Sequence, residues 1–371
     1  MRDVFKSYII TLNTIGPVYI GSGNTIGKKE YIILNNGDIA ILDPAKMYKK
    51  VVDIKKAGEF ESFMLNDIRD VKWWLQKNGL EVKDMEDCYK YLLKCGDSDT
   101  NQKKLQICEC VKDPYYNPYV PGSSIKGMLR TVMMSAAIEN NRNKYRAAGS
   151  WIKEESGRTG QRKGDKYFLS KPAMKVEELS FRTMNREGTG ANDAVNDVCQ
   201  GLVVGDSEPL GLRDLILCRK IDKHVEGGEK AFPILRESIR PGTKIRFRLT
   251  IDQDVFPYTI RDIEAAIAAF ANNYNHCFIE KFHMDRIDGK SLYIGGGAGF
   301  VSKTFIYPLF GEKEGLDITQ TVFERTVRNS DQHKHYKDRQ YGVSPHTIKI
   351  TSYGGRQLQF GLCRLEDIEE I

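Results

Sequence analysis

Serine hydroxyls and two cations cluster where the sequence predicts the start of a helix, in the segment Tyr119-Val-Pro-Gly-Ser-Ser-Ile-Lys-Gly-Met-Leu-Arg-Thr131. The proline–glycine pair favours a helix boundary, and Ser123 or Ser124 is a suitable N-cap. Lys126 and Arg130 are four residues apart, so they share one face of the predicted helix beside its first turn. Because free backbone N–H groups at a helix start favour anions, this pattern predicts a phosphate site. An ordinary helix start with two solvated charges is the alternative, and the motif alone leaves both interpretations open.

Two glycine-rich segments offer a second kind of anion site. Glycine lets another backbone approach closely and leaves backbone N–H groups available to an anion. The first segment follows the first predicted strand, and the second follows the last predicted core strand and precedes a lysine. Tight turns are the alternative, and for the first segment taken alone this alternative is favoured. Together with the helix start, these segments supply the candidate binding residues Gly21, Ser22, Gly23, Ser123, Ser124, Lys126, Arg130, Gly295, Gly296, Gly297, Gly299 and Lys303.

The second glycine segment comes close to a P-loop at residues 297–304. A P-loop requires glycine immediately before its lysine, and Ser302 stands at that position. No downstream strand ending in a magnesium-binding aspartate is predicted. The sequence therefore argues against an ATPase.

A possible metal site lies further along the chain, at Asp331, His333 and His335. A carboxylate and two imidazoles could hold the metal ion of a metal-dependent nuclease. These residues belong to a strongly polar stretch, 325–339, where a solvated loop or a phosphate-contacting patch is commoner. The metal site is therefore the less favoured interpretation.

The composition is that of an ordinary globular protein. Of the 371 residues, 40% are hydrophobic and 29% are charged, which provides ample material for a core. Lysine and arginine outnumber aspartate and glutamate by 56 to 50, an excess that permits a polyanionic partner without requiring one. No segment resembles a signal peptide or a membrane span, and the eight cysteines lack a C-x-x-C pair. We therefore expect reduced thiols and a cytoplasmic protein.

The predicted elements that would position these residues alternate between strand and helix. With insertions removed, their order is strand 7–15, helix 124–139, strands within 201–251, helix 259–282 and strand 291–294. This β-α-β-β-α-β order predicts an α+β protein with a ferredoxin-like core. Strict alternation of apolar and polar residues from Lys244 to Ile251 predicts a strand with one buried face.

Insertions and an extension would surround this core. Residues 44 to about 95 have mainly helical spacing, including a helix around Tyr89, Leu92 and Leu93. The polar stretches 149–166 and 183–193 are predicted to be mobile loops. The expected division of the chain is a first core strand and hairpin (1–43), a mainly helical insertion (44–117), the remaining core with these loops (118–310) and a C-terminal extension with short strands (311–371).

Five motifs, taken together, resemble those of the RAMP superfamily of CRISPR proteins. They are TLNTIGPVYIGSG at 11–23, YVPGSSIKGMLR at 119–130, VGDS at 204–207, RPGT at 240–243 and GGGAGFVSKT at 295–304. The series touches nearly the full length in the right order, and the helix-entry motif is fairly specific to the superfamily. The last motif is most similar to the family of fifth subunits of type III-A Csm effector complexes. Tyr19 stands where these proteins often have histidine, which weakens any role for position 19.

The resemblance implies a RAMP-type modified RRM fold and a noncatalytic RNA-binding subunit. Such a subunit caps the 3′ end of the CRISPR RNA (crRNA) and supports its maturation and complex assembly. The implied partners are crRNA, the backbone RAMP subunits, the small subunit and host nucleases, with no cofactor, metal or membrane. Backbone subunits cut target RNA with an aspartate that has no match in this sequence.

The resemblance also implies roles for the candidate residues. Phosphates would be bound by Ser123, Ser124, Lys126 and Arg130. The glycines at 295–299 would let the RNA backbone lie close, and Lys303 would add a positive charge at that turn. Two alternatives stay open: a metal-dependent ribonuclease acting on the crRNA precursor, and a scaffold that contacts only protein.

Overall fold

The computed structural model describes residues 4–97, 105–158 and 164–371. Its strands are β1 (Phe5–Thr14), β2 (Gly21–Ile26), β3 (Tyr31–Ile33), β4 (Ile39–Leu42), β5 (Tyr89–Cys95), β6 (Gln106–Cys110), β7 (Leu202–Ser207), β8 (Leu215–His224), β9 (Glu229–Ile239), β10 (Lys244–Asp252), β11 (Ser291–Tyr293), β12 (Thr347–Tyr353), β13 (Arg356–Gln359) and β14 (Leu362–Glu370). Its α-helices are α1 (Pro44–Asp53), α2 (Ala57–Asn66), α3 (Val71–Lys77), α4 (Gly122–Asn140), α5 (Arg146–Gly157), α6 (Ser170–Phe181), α7 (Ile260–Cys277), α8 (Ile306–Thr326), α9 (Ser330–His333) and α10 (Asp338–Tyr341).

The central sheet is antiparallel, with strand order β11-β14-β1-β10-β7. The alternation predicted for β10 is confirmed: Ile245, Phe247, Leu249 and Ile251 are buried. They share one hydrophobic core with apolar residues of α4 and α7. Helix α7 begins at the predicted cap, where the Thr259 side chain accepts a hydrogen bond from a backbone N–H of the first turn. The ferredoxin-like α+β core is therefore confirmed.

The place beside β1 is taken by a strand that the sequence assigned to the C-terminal extension. Strand β14 pairs with β1 from Tyr8 to Thr14, while β11 pairs only with the far side of β14. The predicted strand at 291–294 thus lies at the sheet edge rather than beside the first strand. Strand pairing between residues so far apart in sequence leaves no local signal, which is why periodicity alone missed it.

A second sheet has the order β2-β6-β9-β8-β5-β4-β3, and β12 joins it through β8. The hairpin β3–β4 is confirmed, with Gly37 at a positive φ in its turn. The helix expected around residues 89–93 is wrong, because Tyr89–Cys95 forms strand β5. Burial alternates along it, since Tyr91 and Leu93 are buried whereas Leu92 between them is exposed. Burial with a period of two residues is typical of a strand.

Helices α5, α6 and α8 form a smaller core beside α4. The loop expected at 149–166 is wrong for residues 149–157, which belong to α5, where Ile152 is fully buried. Tertiary packing of this apolar side chain outweighs the polar composition that suggested a loop. The part at 159–163 lies outside the described residues.

The stretch 183–193 contains neither helix nor strand, as expected of a loop. The Asn196 side chain stabilises this loop by hydrogen bonds with Arg186, Thr189 and Gly190.

None of the described helices is long and apolar enough to cross a membrane. All eight cysteines are free thiols, most of them buried.

Candidate nucleic-acid interface

Three segments that are distant in sequence meet around one cleft of about 390 Å³. Helix α4 contributes one wall, the start of β2 contributes a second, and the glycine turn after β11 contributes the third. We call this space the α4 cleft. Its lining residues are Ile20, Gly21, Ser123, Ser124, Gly127, Met128, Thr131, Tyr293, Gly295, Gly296, Ser302 and Lys303.

The start of α4 is docked on strand β7 by backbone contacts. Pro121 is the N-cap residue, and the N–H of Gly122 donates to Asp206 Oδ1 across 2.7 Å. A Cβ atom at Gly122 would stand 2.2 Å from the carbonyl oxygen of Val204, so only glycine fits there. The expected serine N-cap is therefore wrong, because the carboxylate of Asp206 already binds the first free N–H.

The two serines have a different position from the one expected of a cap. Ser123 is exposed, and both Ser123 and Ser124 line the α4 cleft. The N–H of Ser124 donates to the carbonyl of Pro121, as in a regular first turn. Their hydroxyl groups can each donate and accept hydrogen bonds at the cleft wall.

Gly127 continues the same wall one turn further along α4. Glycine in a helix interior costs about 1 kcal/mol relative to alanine. Apart from Gly127 itself, its two neighbours and the nearby backbone of α4, no atom of the described residues lies within 4 Å of the place where a Cβ atom at Gly127 would stand. Packing within the described residues therefore does not require a glycine at this position. The absence of a side chain leaves the centre of the cleft open.

Lys303 supplies the cleft with positive charge. Its Nζ atom donates to the backbone carbonyl of Gly295 across 2.6 Å. Although Lys303 keeps part of its side chain exposed, the surrounding protein atoms desolvate the ammonium and lower its pKa from the ordinary value of 10.5. The expected lysine of this turn therefore lies at the cleft.

The glycines at 295–297 make room for other parts of this chain. A Cβ atom at Gly295 would stand 2.3 Å from the carbonyl oxygen of Tyr19, and the N–H of Gly296 donates to that oxygen. A Cβ atom at Gly297 would meet the guanidinium of Arg236 at 2.3 Å. Gly299 lines a separate cavity near the C-terminal helices. Close packing within the chain accounts for Gly295, Gly296 and Gly297, although Gly295 and Gly296 also border the cleft.

The other two cations that were predicted to bind phosphate, Arg130 and Lys126, lie outside the α4 cleft. The Arg130 guanidinium donates to Asp197 at 2.8 Å and to Glu177 at 2.5 Å, and it lies 4.3 Å from the ring centre of Phe181. These contacts engage both terminal nitrogens of the guanidinium, and Arg130 is not among the lining residues of the cleft. Lys126, on the same helix face, does not line the cleft either.

Strand β2 departs from the expected turn. Residues 21–26 pair with β6 through a register shift, where Gly23 takes a φ of +92°. The Ser22 hydroxyl donates to Glu109, and neither Ser22 nor Gly23 lines the cleft. Of the three residues Gly21, Ser22 and Gly23, only Gly21 lines the α4 cleft.

Sequence reasoning missed Gly127 and Thr131. A usable signal was present, because Ser123, Gly127 and Thr131 are spaced four residues apart and so share a helix face. The charged face that carries Lys126 and Arg130 is the more conspicuous one in the sequence.

The possible metal site is rearranged in the structure. Asp331 and His333 are exposed, whereas His335 is buried against Asp338 and His346. Of the three residues considered as metal ligands, only His335 is buried, and its neighbours there are Asp338 and His346.

The chain is similar to known proteins over most of its length. The sequence profile of the RAMP superfamily matches residues 11–301. Csm5 of Mycobacterium tuberculosis is 28% identical over 98% of this chain and 98% of its own length. Csm5 of Streptococcus thermophilus is 27% identical over 85% of this chain and 84% of its own length.

Solved structures share the fold. A chain of the cryo-EM structure of a Csm–crRNA–target RNA ternary complex superposes with a TM-score of 0.64 at 17% identity, covering 97% of this chain and 100% of that chain. The crystal structure of T. onnurineus Csm5 superposes with a TM-score of 0.62 at 18% identity, covering 96% of this chain and 100% of that chain. Because the profile match covers most of its residues, the chain belongs to the RAMP superfamily, and it is similar over nearly its whole length to proteins named Csm5.

Proposed function

We propose that this chain is the RNA-binding fifth subunit of a type III-A Csm complex. In this role it caps the 3′ end of the crRNA, abuts the backbone RAMP subunits and the small subunit, and supports crRNA maturation and assembly without catalysis. Host nucleases that trim the RNA would act beside it. The choice of the 3′ end rests on the resemblance to Csm5, whereas RNA binding also rests on the cleft.

The observation that carries the proposal is the open wall of the α4 cleft. Ser123 and Ser124 offer hydroxyl groups, Lys303 offers a cation, and Gly127 leaves space between them. A phosphodiester needs this combination of donors, positive charge and close approach. The volume of about 390 Å³ also lies in the range of ~300–1,000 Å³ of pockets that hold small ligands.

The chemistry of the cleft favours binding over catalysis. Among its described lining residues there is no carboxylate, imidazole or thiol. General acid–base catalysis most often employs histidine or a carboxylate, whereas the titratable side chains here are Lys303, which donates to a backbone carbonyl, and the buried Tyr293. The cleft is therefore suited to hold RNA in place.

A negative charge introduced at Gly127 tests the proposal directly. Gly127→Glu would place a carboxylate in the cleft, and Gly127→Gln has nearly the same size without the charge. Each variant is expressed with the other subunits and a CRISPR array, and the crRNA of the purified complex is run on a denaturing gel after treatment with a 3′ exonuclease. We expect Gly127→Glu to reduce crRNA content or protection of the 3′ end at least several-fold more than Gly127→Gln does.

Lys49→Ala, on the exposed surface of α1, serves as the control for an unrelated change of charge. If Gly127→Glu and wild type protect crRNA equally, the cleft does not contact RNA. If the wild-type chain purifies alone and without RNA, the assignment to the Csm complex fails as well.

A further inference from the structure

His335, Asp338 and His346 form a buried cluster outside the α4 cleft. His335 lies in the turn before α10, Asp338 is the first residue of α10, and His346 directly precedes β12. One potential ligand atom from each residue lies within 4.8 Å of the other two. The two imidazoles are 6% and 7% exposed, and Asp338 is fully buried.

Asp338 orients both imidazole rings. His335 Nδ1 lies 3.1 Å from Asp338 Oδ2, and His346 Nδ1 lies 2.5 Å from Oδ1. The Ser344 hydroxyl donates to the same carboxylate across 2.6 Å. Because an ionised carboxylate only accepts hydrogen bonds, each ring donates through Nδ1. In the neutral form of each ring, Nε2 then carries a free lone pair.

The three hydrogen bonds to Asp338 fix the two rings relative to each other. The donors are His335, His346 and the Ser344 hydroxyl, and all three belong to buried residues. A metal ion bound on the Nε2 side would therefore find both rings already oriented.

The surroundings leave space for such an ion. The rings of His335 and His346 are 4.8 Å apart between centres, and both border a cavity of about 790 Å³. His333 borders it too, with its ring centre 6.2 Å from that of His335. Four lysines also border the cavity, and two of them, Lys349 and Lys220, pair with Asp222 at 2.6 Å and 3.7 Å.

A fourth histidine at this cavity is less suitable as a ligand. His224 Nδ1 accepts a hydrogen bond from the N–H of Glu226 across 3.1 Å. In a neutral ring with this bond, the proton is on Nε2, which then has no lone pair for a metal. The ligand set therefore centres on His335 and His346.

We propose that this cluster binds a divalent transition-metal ion of the Zn²⁺ type through Nε2 of His335 and Nε2 of His346. Asp338 and Ser344 hold the rings in the binding orientation, as carboxylates do for histidine ligands of zinc. Water or His333 completes the coordination from the cavity side. The site differs from the Asp331–His333–His335 triplet, the less favoured interpretation of the sequence, and it does not depend on RNA binding.

Metal titration of the full chain tests the site. The protein is dialysed against a chelator, and Zn²⁺ uptake is then measured by calorimetry and Co²⁺ uptake by visible absorption. We expect one ion per chain in the wild type, with Co²⁺ bands of a low-coordinate nitrogen and oxygen environment. His335→Ala and His346→Ala should abolish both signals, and Ser344→Ala should weaken Zn²⁺ affinity by about 10–100-fold.

His276→Ala, at an exposed histidine of α7, is the matched control and should bind like the wild type. Metal uptake that survives the combined change of His335 and His346 to alanine would overturn the proposal, as would a wild-type chain that takes up neither metal. If the alanine variants fail to fold, the stoichiometry and Co²⁺ spectrum of the wild type and of Ser344→Ala still decide the outcome.

Discussion

Lys303 Nζ donates a hydrogen bond to the backbone carbonyl of Gly295 across 2.6 Å. The cation of the α4 cleft is therefore held by the same glycine turn that forms the cleft wall. A lysine restrained in this way loses less side-chain entropy when an anion binds than a freely moving one does. The turn and its lysine act as one preformed unit.

The partly buried Lys303 predicts a pH dependence of RNA binding. Burial lowers its pKa from the ordinary value of 10.5, so it loses its proton at a lower pH than an exposed lysine does. RNA affinity should thus fall as the pH is raised from neutral toward this pKa, because the positive charge disappears. Arginine stays charged over this range, so Lys303→Arg should show a smaller fall. Fluorescence anisotropy with labelled RNA measures both, and equal falls for the two proteins would contradict the prediction.

Two glycines of α4 should respond oppositely to alanine. Gly127→Ala should raise the free energy of unfolding by about 1 kcal/mol, because alanine is the better helix former and its Cβ meets open space. Gly122→Ala should lower it by about 1–3 kcal/mol, because its Cβ would collide with the carbonyl of Val204. Urea titration of both variants gives these values. A loss of stability in Gly127→Ala would show that the space over Gly127 is filled.

Arg130 is predicted to stabilise the fold without gripping RNA. Arg130→Ala should cost about 1–3 kcal/mol, since it leaves the carboxylates of Asp197 and Glu177 without their partner in a partly buried site. Lys175→Ala removes an exposed ion pair with Glu178 and should cost less than about 1 kcal/mol. Thermal unfolding compares the two. A folded Arg130→Ala complex should protect crRNA as the wild type does, and lost protection would assign Arg130 to RNA after all.

A buried ion pair should hold the second sheet together. Lys112 Nζ lies 2.5 Å from Glu237, with side-chain exposures of 4% and 0%, and Glu237 also accepts from the hydroxyl of Tyr91 and the N–H of Cys110. Lys112→Met should cost about 3–5 kcal/mol, because the carboxylate is left buried and uncompensated.

Adding Glu237→Gln to Lys112→Met should recover part of that loss, which a double-mutant cycle by urea unfolding measures. Additive costs of the two changes would show that the ions are not coupled.

Local patterns predicted the elements of the core well. The alternation in β10 and the Thr259 cap of α7 depend on neighbouring residues, so the sequence displays them directly. The strand Tyr89–Cys95 was mistaken for a helix because a short apolar run allows either period. The pairing of β14 with β1 depends on distant residues and has no local signature.

The sequence indicated which segments meet at the candidate site, but not which of their polar groups are already bound to other residues of the chain. The glycine turn, the serines and Lys303 do meet around one cleft. The partners of Gly122 and Arg130, namely Asp206 and Asp197, lie more than sixty residues away in sequence. Only the fold shows that these carboxylates occupy groups that were expected to bind phosphate.

The position of β14 between β1 and β11 also affects when the central sheet can be completed during synthesis. The ribosome completes β1 at residue 14 and begins β14 only at residue 362. Until Leu362–Glu370 emerges, β1 keeps one edge with unpaired N–H and C=O groups, and such an edge can pair with other chains. Ribosomes that stall before residue 362 would therefore release a chain prone to aggregation, and emergence of the last strand is the step that protects the newly made subunit.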